Sequence, residues 1–360
     1  MTKPTEMSEQ EFAYHAYGFI CTPSEVERIL TPKTAQDVLL RMRADAVIDH
    51  ARLYRVMHAR KRRHGQTWSF EGHFNTREIE AVLSQLPSGV RESCEVAAGF
   101  TFSDDPNGAC TRTEFGNVIV VSESLRYFLY FMNLAFLGFG VDIPDGVRIS
   151  ALTIGIRTML QTEAMDFELD PRGSVPPDIH RHIDLYTERQ LEFVIGHEFA
   201  HHALGHVSSA AIEQRTLFAR ASNCGSDRRA FYNYSQEQEF DADKWSLDVP
   251  VRSAKEQAFY ALSAVLFFTY IDIFEQVREQ ILPSTRRFKT HPPPFVRRSR
   301  ILNGGTNLSH FDIAGLLELS ENYKSGLQEH AATNVEVFET YGSVYLDVWR
   351  GAVLVDRVDY

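Results

Sequence analysis

The distribution of apolar and polar positions divides the chain into a helix-rich first quarter and a longer mixed region. Residues 1–90 read as mostly helical, and 35–63 (AQDVLLRMRADAVIDHARLYRVMHARKRR) is a run of good helix formers without Pro or Gly. The polar stretch 103–117 (SDDPNGACTRTEFGN) breaks that pattern. NVIVV at 117–121 then predicts a strand, and the β-branched residues of 147–158 (VRISALTIGIRT) predict one or two more. The Pro/Gly-rich segment 168–178 predicts a loop, and a helix is expected from Thr187, which forms a capping box with Gln190. A second loop is expected at 221–230. Ser235 with Gln238 forms another box, opening a helix that Pro250 closes. An apolar helix follows at 255–280, then an Arg- and Pro-rich passage at 284–302 and a C-terminal stretch (VEVFETYGSVYLDVWRGAVLVDRVDY) that suggests paired strands. These elements predict an α+β fold, mainly helical with a small sheet. The shift in pattern sets a boundary near residue 110, between a helical N-terminal region (1–110) and an α+β region (111–360).

Two apolar runs, 127–141 and 258–271, fall short of the roughly 18–20 residues that cross a bilayer, so both read as core helices and no membrane span is expected. With 37 Lys+Arg against 48 Asp+Glu, the net charge of −11 argues against a protein built to grip phosphate backbones. Nucleic acid is therefore not expected as a partner. The basic cluster Arg60-Lys61-Arg62-Arg63 reads as a solvated helix end, with an acidic partner or nucleic acid as the alternative. Four cysteines (Cys21, Cys94, Cys110, Cys224) show no short spacing, which suits a reducing compartment. The first nineteen residues lack a basic region followed by an apolar one, so a cytoplasmic location is expected.

The chemistry is concentrated in FVIGHEFAHHALGHV, residues 193–207. His197-Glu198-Phe199-Ala200-His201 is an HExxH motif, and on a helix the two histidines share one face. Two imidazoles so placed bind one Zn²⁺. Glu198 lies about 100° round the helix, beside the ion, where its carboxylate can take a proton from a water that the metal acidifies. Glu198 is therefore the candidate general base and, later, the proton donor to the leaving amine. Extending the helix puts His202 at about 140° and His206 at about 180° from His197, so neither shares the metal unless the helix breaks. Both read as core or second-layer histidines. Gly196, Ala200 and Ala203 form a small-residue stripe for close packing.

The third ligand decides the class. A metzincin needs Gly and His where this chain has Leu204 and Val207, and neither Cys110 nor Cys224 has the context of a deformylase-like ligand. A gluzincin uses a Glu from a later helix, with an Asp four residues on. The segment 235–245 (SQEQEFDADKW) offers this twice, as Glu237 with Asp241 and Glu239 with Asp243. The two registers lie about 200° apart on a helix, so only one faces the metal.

GHEFAHHALGH, EFDAD and THPPPFVR (290–297) together resemble the CAAX-prenyl-protease and heat-shock metalloprotease family of gluzincin peptidases. The resemblance runs from the metal helix to the His-Pro segment and implies a zincin-like catalytic region. Its third-ligand pattern, E-x-x-A-D, is met only by Glu239 and Asp243. It therefore implies His197, His201 and Glu239 as zinc ligands, with Asp243 orienting a ligand histidine. The His-Pro segment implies His291 and Arg297 at the cleft, stabilising an oxyanion or positioning substrate, with His291 as a fourth ligand the alternative. This chain has Arg298 where the family usually has an aliphatic residue, and a register ending at Arg300-Ile301 is the alternative. A weaker resemblance, limited to the metal motif, is to the Lit-type phage-exclusion peptidases. The expectation is a zinc-dependent endopeptidase acting on a protein or peptide, with the substrate strand paired to a sheet edge before the metal helix. The rival is a non-catalytic module whose zinc staples two helices. The oligomeric state stays open.

Overall fold

The computed structural model describes residues 9–94, 96–102, 108–137, 142–209, 211–216, 228–281, 291–329 and 331–351. Six helices come first: α1 (Glu9–Gly18), α2 (Pro23–Leu30), α3 (Ala35–Ile48), α4 (Ala51–His64), α5 (Arg77–Gln85) and α6 (Ser88–Arg91). Strands β1 (Ala97–Thr101), β2 (Gly108–Thr113) and β3 (Gly116–Ser122) follow, then α7 (Glu123–Phe136), α8 (Asp145–Leu160), α9 (Pro177–Ala203) and α10 (His206–Ser209). The hairpin β4 (Ala211–Thr216) and β5 (Arg228–Asn233) leads into α11 (Gln236–Asp248), α12 (Ala254–Ile281), α13 (Pro294–Leu302), α14 (Ile313–Glu329) and α15 (Ala331–Glu339). The fold is the expected mainly helical α+β class. Among the described residues the sheet runs β1-β3-β2-β5-β4, with β1 parallel to β3 and the other pairs antiparallel.

The run 35–63 is two helices. His50 leaves helical geometry, and its ring accepts the Leu53 N–H at 3.4 Å, capping α4. The basic cluster closes the far end of α4. Arg60 and Arg63 pair with Glu168, and Lys61 Nζ donates to the Gly18 and Cys21 carbonyls at 2.8 and 2.7 Å. Residue 110 lies inside β2, and the apolar cluster formed by Tyr17, Val26, Leu53 and Trp68 also takes in Met165.

Four sequence expectations are corrected. Residues 147–158 are helical, within α8, because Val147, Ala151, Leu152, Ile154 and Ile156 are buried around much of the helix. An apolar run buried so widely carries no periodicity to separate helix from strand. Residues 108–113, within the stretch read as a polar break, form β2. Glu114 and Phe115 make a tight turn into β3, and Gly116 sits at φ 115. The metal helix starts at Pro177, ten residues before Thr187. Pro177 suits a first helical position because its missing N–H has no intrahelical partner to lose. Thr187 and Gln190 are interior, and both accept from Asn133 Nδ2, at 3.1 and 2.8 Å, while Tyr270 donates to Asn133 at 3.0 Å. That buried cluster ties α7, α9 and α12 together. The C-terminal stretch forms no strand pair among the described residues. Val335–Phe338 lie in α15, which sets Phe338 into the core, and the segment beyond makes one bridge, from Glu163 to Gly342.

α12 is the one described helix long and apolar enough to span a membrane by length and composition, and 78% of its most apolar stretch is buried within the fold. It extends beyond the run 258–271 at both ends and packs against α9, α13 and α14.

Candidate metal centre

The last two turns of α9 carry the HExxH motif into the core, anchored by Phe193, Ile195 and Phe199, all nearly inaccessible. α11 crosses α9 closely at Gly196. A Cβ there would stand 2.5 Å from Ser246 Oγ, and that hydroxyl donates to the Phe193 carbonyl at 3.0 Å. The start of α11 is fixed by the expected Ser235–Gln238 capping box, with bonds of 2.8 and 3.3 Å. With cap and crossing point set, Glu239 turns inward and is fully buried, while Glu237 and Asp241 face solvent.

His197 Nε2, His201 Nε2 and the Glu239 carboxylate converge. The two ring nitrogens are 3.2 Å apart, and Glu239 lies 3.4 Å from the first and 3.8 Å from the second. Tetrahedral coordination at about 2.0–2.1 Å spaces its ligand atoms about 3.3 Å apart, so the set fits one ion. Glu239 Oε1 is buried and accepts no hydrogen bond, which leaves a lone pair available to a cation. The donor set, two imidazoles and one carboxylate, suits Zn²⁺ with a corner left for a water or substrate.

Asp243 stands behind His197. Its Oδ1 is 3.0 Å from His197 Nδ1, and Arg297 of α13 grips both oxygens, with Nε 2.7 Å from Oδ2. Burial pushes the Asp243 carboxyl up, but the Arg297 charge and the hydrogen bonds from Arg297 and His197 outweigh it and hold the carboxyl low. Glu239 follows the same logic. Burial raises it, while the charge of His291 and the hydrogen bonds from His197 and His291 hold it well below the usual range. His291 reaches Glu239 Oε2 through Nδ1 at 2.7 Å and is 39% exposed, more than any other residue of the cluster. Arg297 lies over the Phe268 ring at 4.4 Å. Arg298 turns away to Thr269 and Asp272, and Arg300 stacks on Phe240, so Arg297 is the arginine at the site.

Glu198 is buried beside the cluster. Burial pushes its carboxyl up to about 7, with Glu239 adding to the rise and the His197 charge opposing it. The backbone of β2 lies directly against it, since a Cβ on Gly108 would stand 2.6 Å from Glu198 Cγ.

Sequence reasoning missed three neighbours. Tyr234, just before the α11 cap, stacks flat on the His201 ring, with centroids 3.5 Å apart and planes 6° apart. No motif signals it. Gly108 lies in the stretch 103–117, read as a polar break in the helical pattern. His206 was extrapolated to the far side of α9, but the helix ends at Ala203 and the chain turns back through Gly205 (φ 71), putting His206 Nδ1 3.0 Å from His201 Nδ1. The glycine at the helix end was the available signal. His202 does point away from the cluster, with Nε2 3.3 Å from the buried thiol of Cys110. Cys224 and Thr290 lie outside the described residues.

Residues 179–303, about a third of the chain, match the family described as Peptidase family M48, a family of zincin-like metallopeptidases. The matched stretch takes in all seven residues singled out above, from His197 to Arg297. No curated protein and no solved structure matches the chain.

Proposed function

We propose that the chain is a zinc-dependent endopeptidase in which His197, His201 and Glu239 hold Zn²⁺ and Glu198 is the general base. The observation that carries this is the buried Glu239 carboxylate, whose Oε1 accepts no hydrogen bond and lies 3.8 Å from His201 Nε2 while its Oε2 lies 3.4 Å from His197 Nε2. The match of 179–303 to Peptidase family M48 supports proteolysis as the reaction. A divalent ion held by these three residues would supply Lewis acidity to the scissile carbonyl and to a water.

The remaining work falls to the chain's own groups. Glu198, poised near neutrality by burial, takes the water's proton and passes it to the leaving amine. Asp243 accepts from His197 Nδ1 and so keeps that ring's Nε2 lone pair turned to the metal position. Arg297 donates to both oxygens of Asp243, also faces Glu239 Oε2, and acts as a positioning group behind the cluster. His291, open to solvent, is the group that meets an incoming carbonyl. An extended substrate adds to the edge of β2. Among the described residues β5 pairs only with Thr111 and Arg112 of that strand, which leaves Gly108–Cys110, beside Glu198, without a strand neighbour on that side.

A purely structural zinc site would be closed by four protein ligands and would not need a carboxylic acid buried beside it, a costly placement without a catalytic use. A nucleic-acid reading is weakened because Arg60, Lys61 and Arg63 are engaged within the fold. The test is Glu198→Gln, which is expected to bind zinc as the parent does and to cut no member of a peptide library. Undiminished cutting removes Glu198 from the mechanism.

A further inference from the structure

We propose that His206 is a positioning residue of the metal centre, accepting the Nδ1 proton of His201 as Asp243 does for His197. The proposal rests on the zinc reading above and extends it to a residue outside the ligand set.

A histidine that offers Nε2 to a metal carries its proton on Nδ1, and that N–H needs an acceptor if the ring is to stay in the ligating tautomer. For His197 the acceptor is Asp243. The distances from Glu239 to His197 and to His201 both run to Nε2, and Asp243 faces His197, so neither carboxylate serves His201 Nδ1. The partner there is His206 Nδ1, at 3.0 Å. Two facing Nδ1 atoms share one proton. With it on His201, His206 accepts at Nδ1 and carries its own proton on Nε2.

The fold builds this contact deliberately. Leu204 caps α9, its N–H bonding the Ala200 carbonyl at 2.8 Å. Gly205 then takes a left-handed φ of 71, which a side chain would strain. The reversal brings His206, 9% exposed, back under the ring it follows by five positions, with centroids 5.2 Å apart. Tyr234 holds the flat face of the same ring. His201 is thus fixed on one face by Tyr234 and at its outer edge by His206.

A neutral acceptor also suits the charge of the site. Glu198, Glu239 and Asp243 already crowd it, with Arg297 paired to the last two and His291 to Glu239. A fourth carboxylate would make Glu198 harder to ionise and the metal less electrophilic. An imidazole fixes the tautomer without adding charge.

The experiment compares His206→Ala, His206→Asn and His206→Gln in the full chain. It reads zinc affinity by chelator competition, the visible spectrum of the Co²⁺-loaded protein, and the unfolding midpoint after EDTA. Asn places its Oδ1 where Nδ1 stood, whereas Gln reaches only the Nε2 position. The expected result is a loss of about 10–100-fold in zinc affinity and a changed Co²⁺ spectrum for the Ala and Gln variants, with both restored in the Asn variant. A merely space-filling residue would rank Gln at least equal to Asn and would shift the EDTA-treated midpoint in parallel with affinity. That ranking, or undiminished affinity in the Ala variant, overturns the proposal. His201→Ala separates the two readings. If it collapses affinity while the His206 variants do not, only the His206 role falls. If the parent chain itself binds no zinc, the metal reading falls and takes this inference with it.

Discussion

Arg297 holds Asp243 from 54 positions further along the chain, with its Nε 2.7 Å from Oδ2, while the other oxygen of that carboxylate receives His197 Nδ1 at 3.0 Å. The ion pair is almost wholly buried, so its worth appears when one partner is removed. Arg297→Ala leaves a charged carboxylate in the interior and is expected to cost about 3–5 kcal/mol in unfolding free energy, with zinc affinity falling alongside. Arg298→Ala, which removes a side chain paired with Thr269 and Asp272, is expected to leave zinc affinity unchanged. Calorimetry and chelator titration of the two variants read this directly. Equal effects would mean that Arg297 has no special tie to the site.

Glu198 makes a prediction about pH with a definite sign. Burial raises its carboxyl from 4.5 to about 7 in the metal-free protein. A raised acid adds stability that is fully present below the unfolded value and is lost as pH climbs through the folded one. Metal-free parent protein should therefore lose up to about 3 kcal/mol relative to Glu198→Gln between pH 4.5 and pH 8. Because both chains carry Asp243 and Glu239, their opposite contributions cancel in the comparison. Unfolding midpoints measured in EDTA across that range test it, and a gap between the two chains that does not widen with pH would contradict the buried setting of Glu198.

The parts of this site that were legible in the sequence are those fixed by a few neighbouring residues. HExxH needs only helical spacing to bring His197 and His201 to one face, and Ser235 with Gln238 sets where α11 starts and hence which way Glu239 turns. Spacing alone left Glu237 and Glu239 as equals, and the choice between them came from the E-x-x-A-D pattern. What was not legible depends on contacts distant in sequence. Tyr234 meets His201 only because the β4–β5 hairpin returns the chain to the end of α9. Residues 147–158 are rich in β-branched side chains, yet they lie in a helix because α7 and its neighbours cover them. His206 was misplaced by carrying one helical wheel past Gly205.

Gly108 brings the sheet against Glu198. Its missing side chain is what lets β2 pass against Glu198, a carboxylate 5% exposed with little room to retreat. Gly108→Ala is expected to fold and to bind zinc like the parent, but to lose about 100-fold in kcat/KM, because displacing the base by around an ångström is enough. A peptide assay beside metal analysis checks both halves. Full turnover in this variant would place the working edge of the sheet elsewhere.

Glu239 and Glu237 lie two positions apart on one helix and have opposite surroundings. Glu239 has no exposed surface and sits 3.4 Å from His197 Nε2, whereas Glu237 points into solvent. Glu239→Ala removes the carboxylate that closes the cluster and strands His291 and Arg297, which pair with it. Zinc affinity is expected to fall by orders of magnitude, and thermal stability should respond to added zinc far less than in the parent. Glu237→Ala removes a solvated charge and is expected to change stability by less than about 0.5 kcal/mol and zinc binding not at all. Chelator competition on the two proteins side by side is decisive, because the alternative register of α11 requires the opposite ranking.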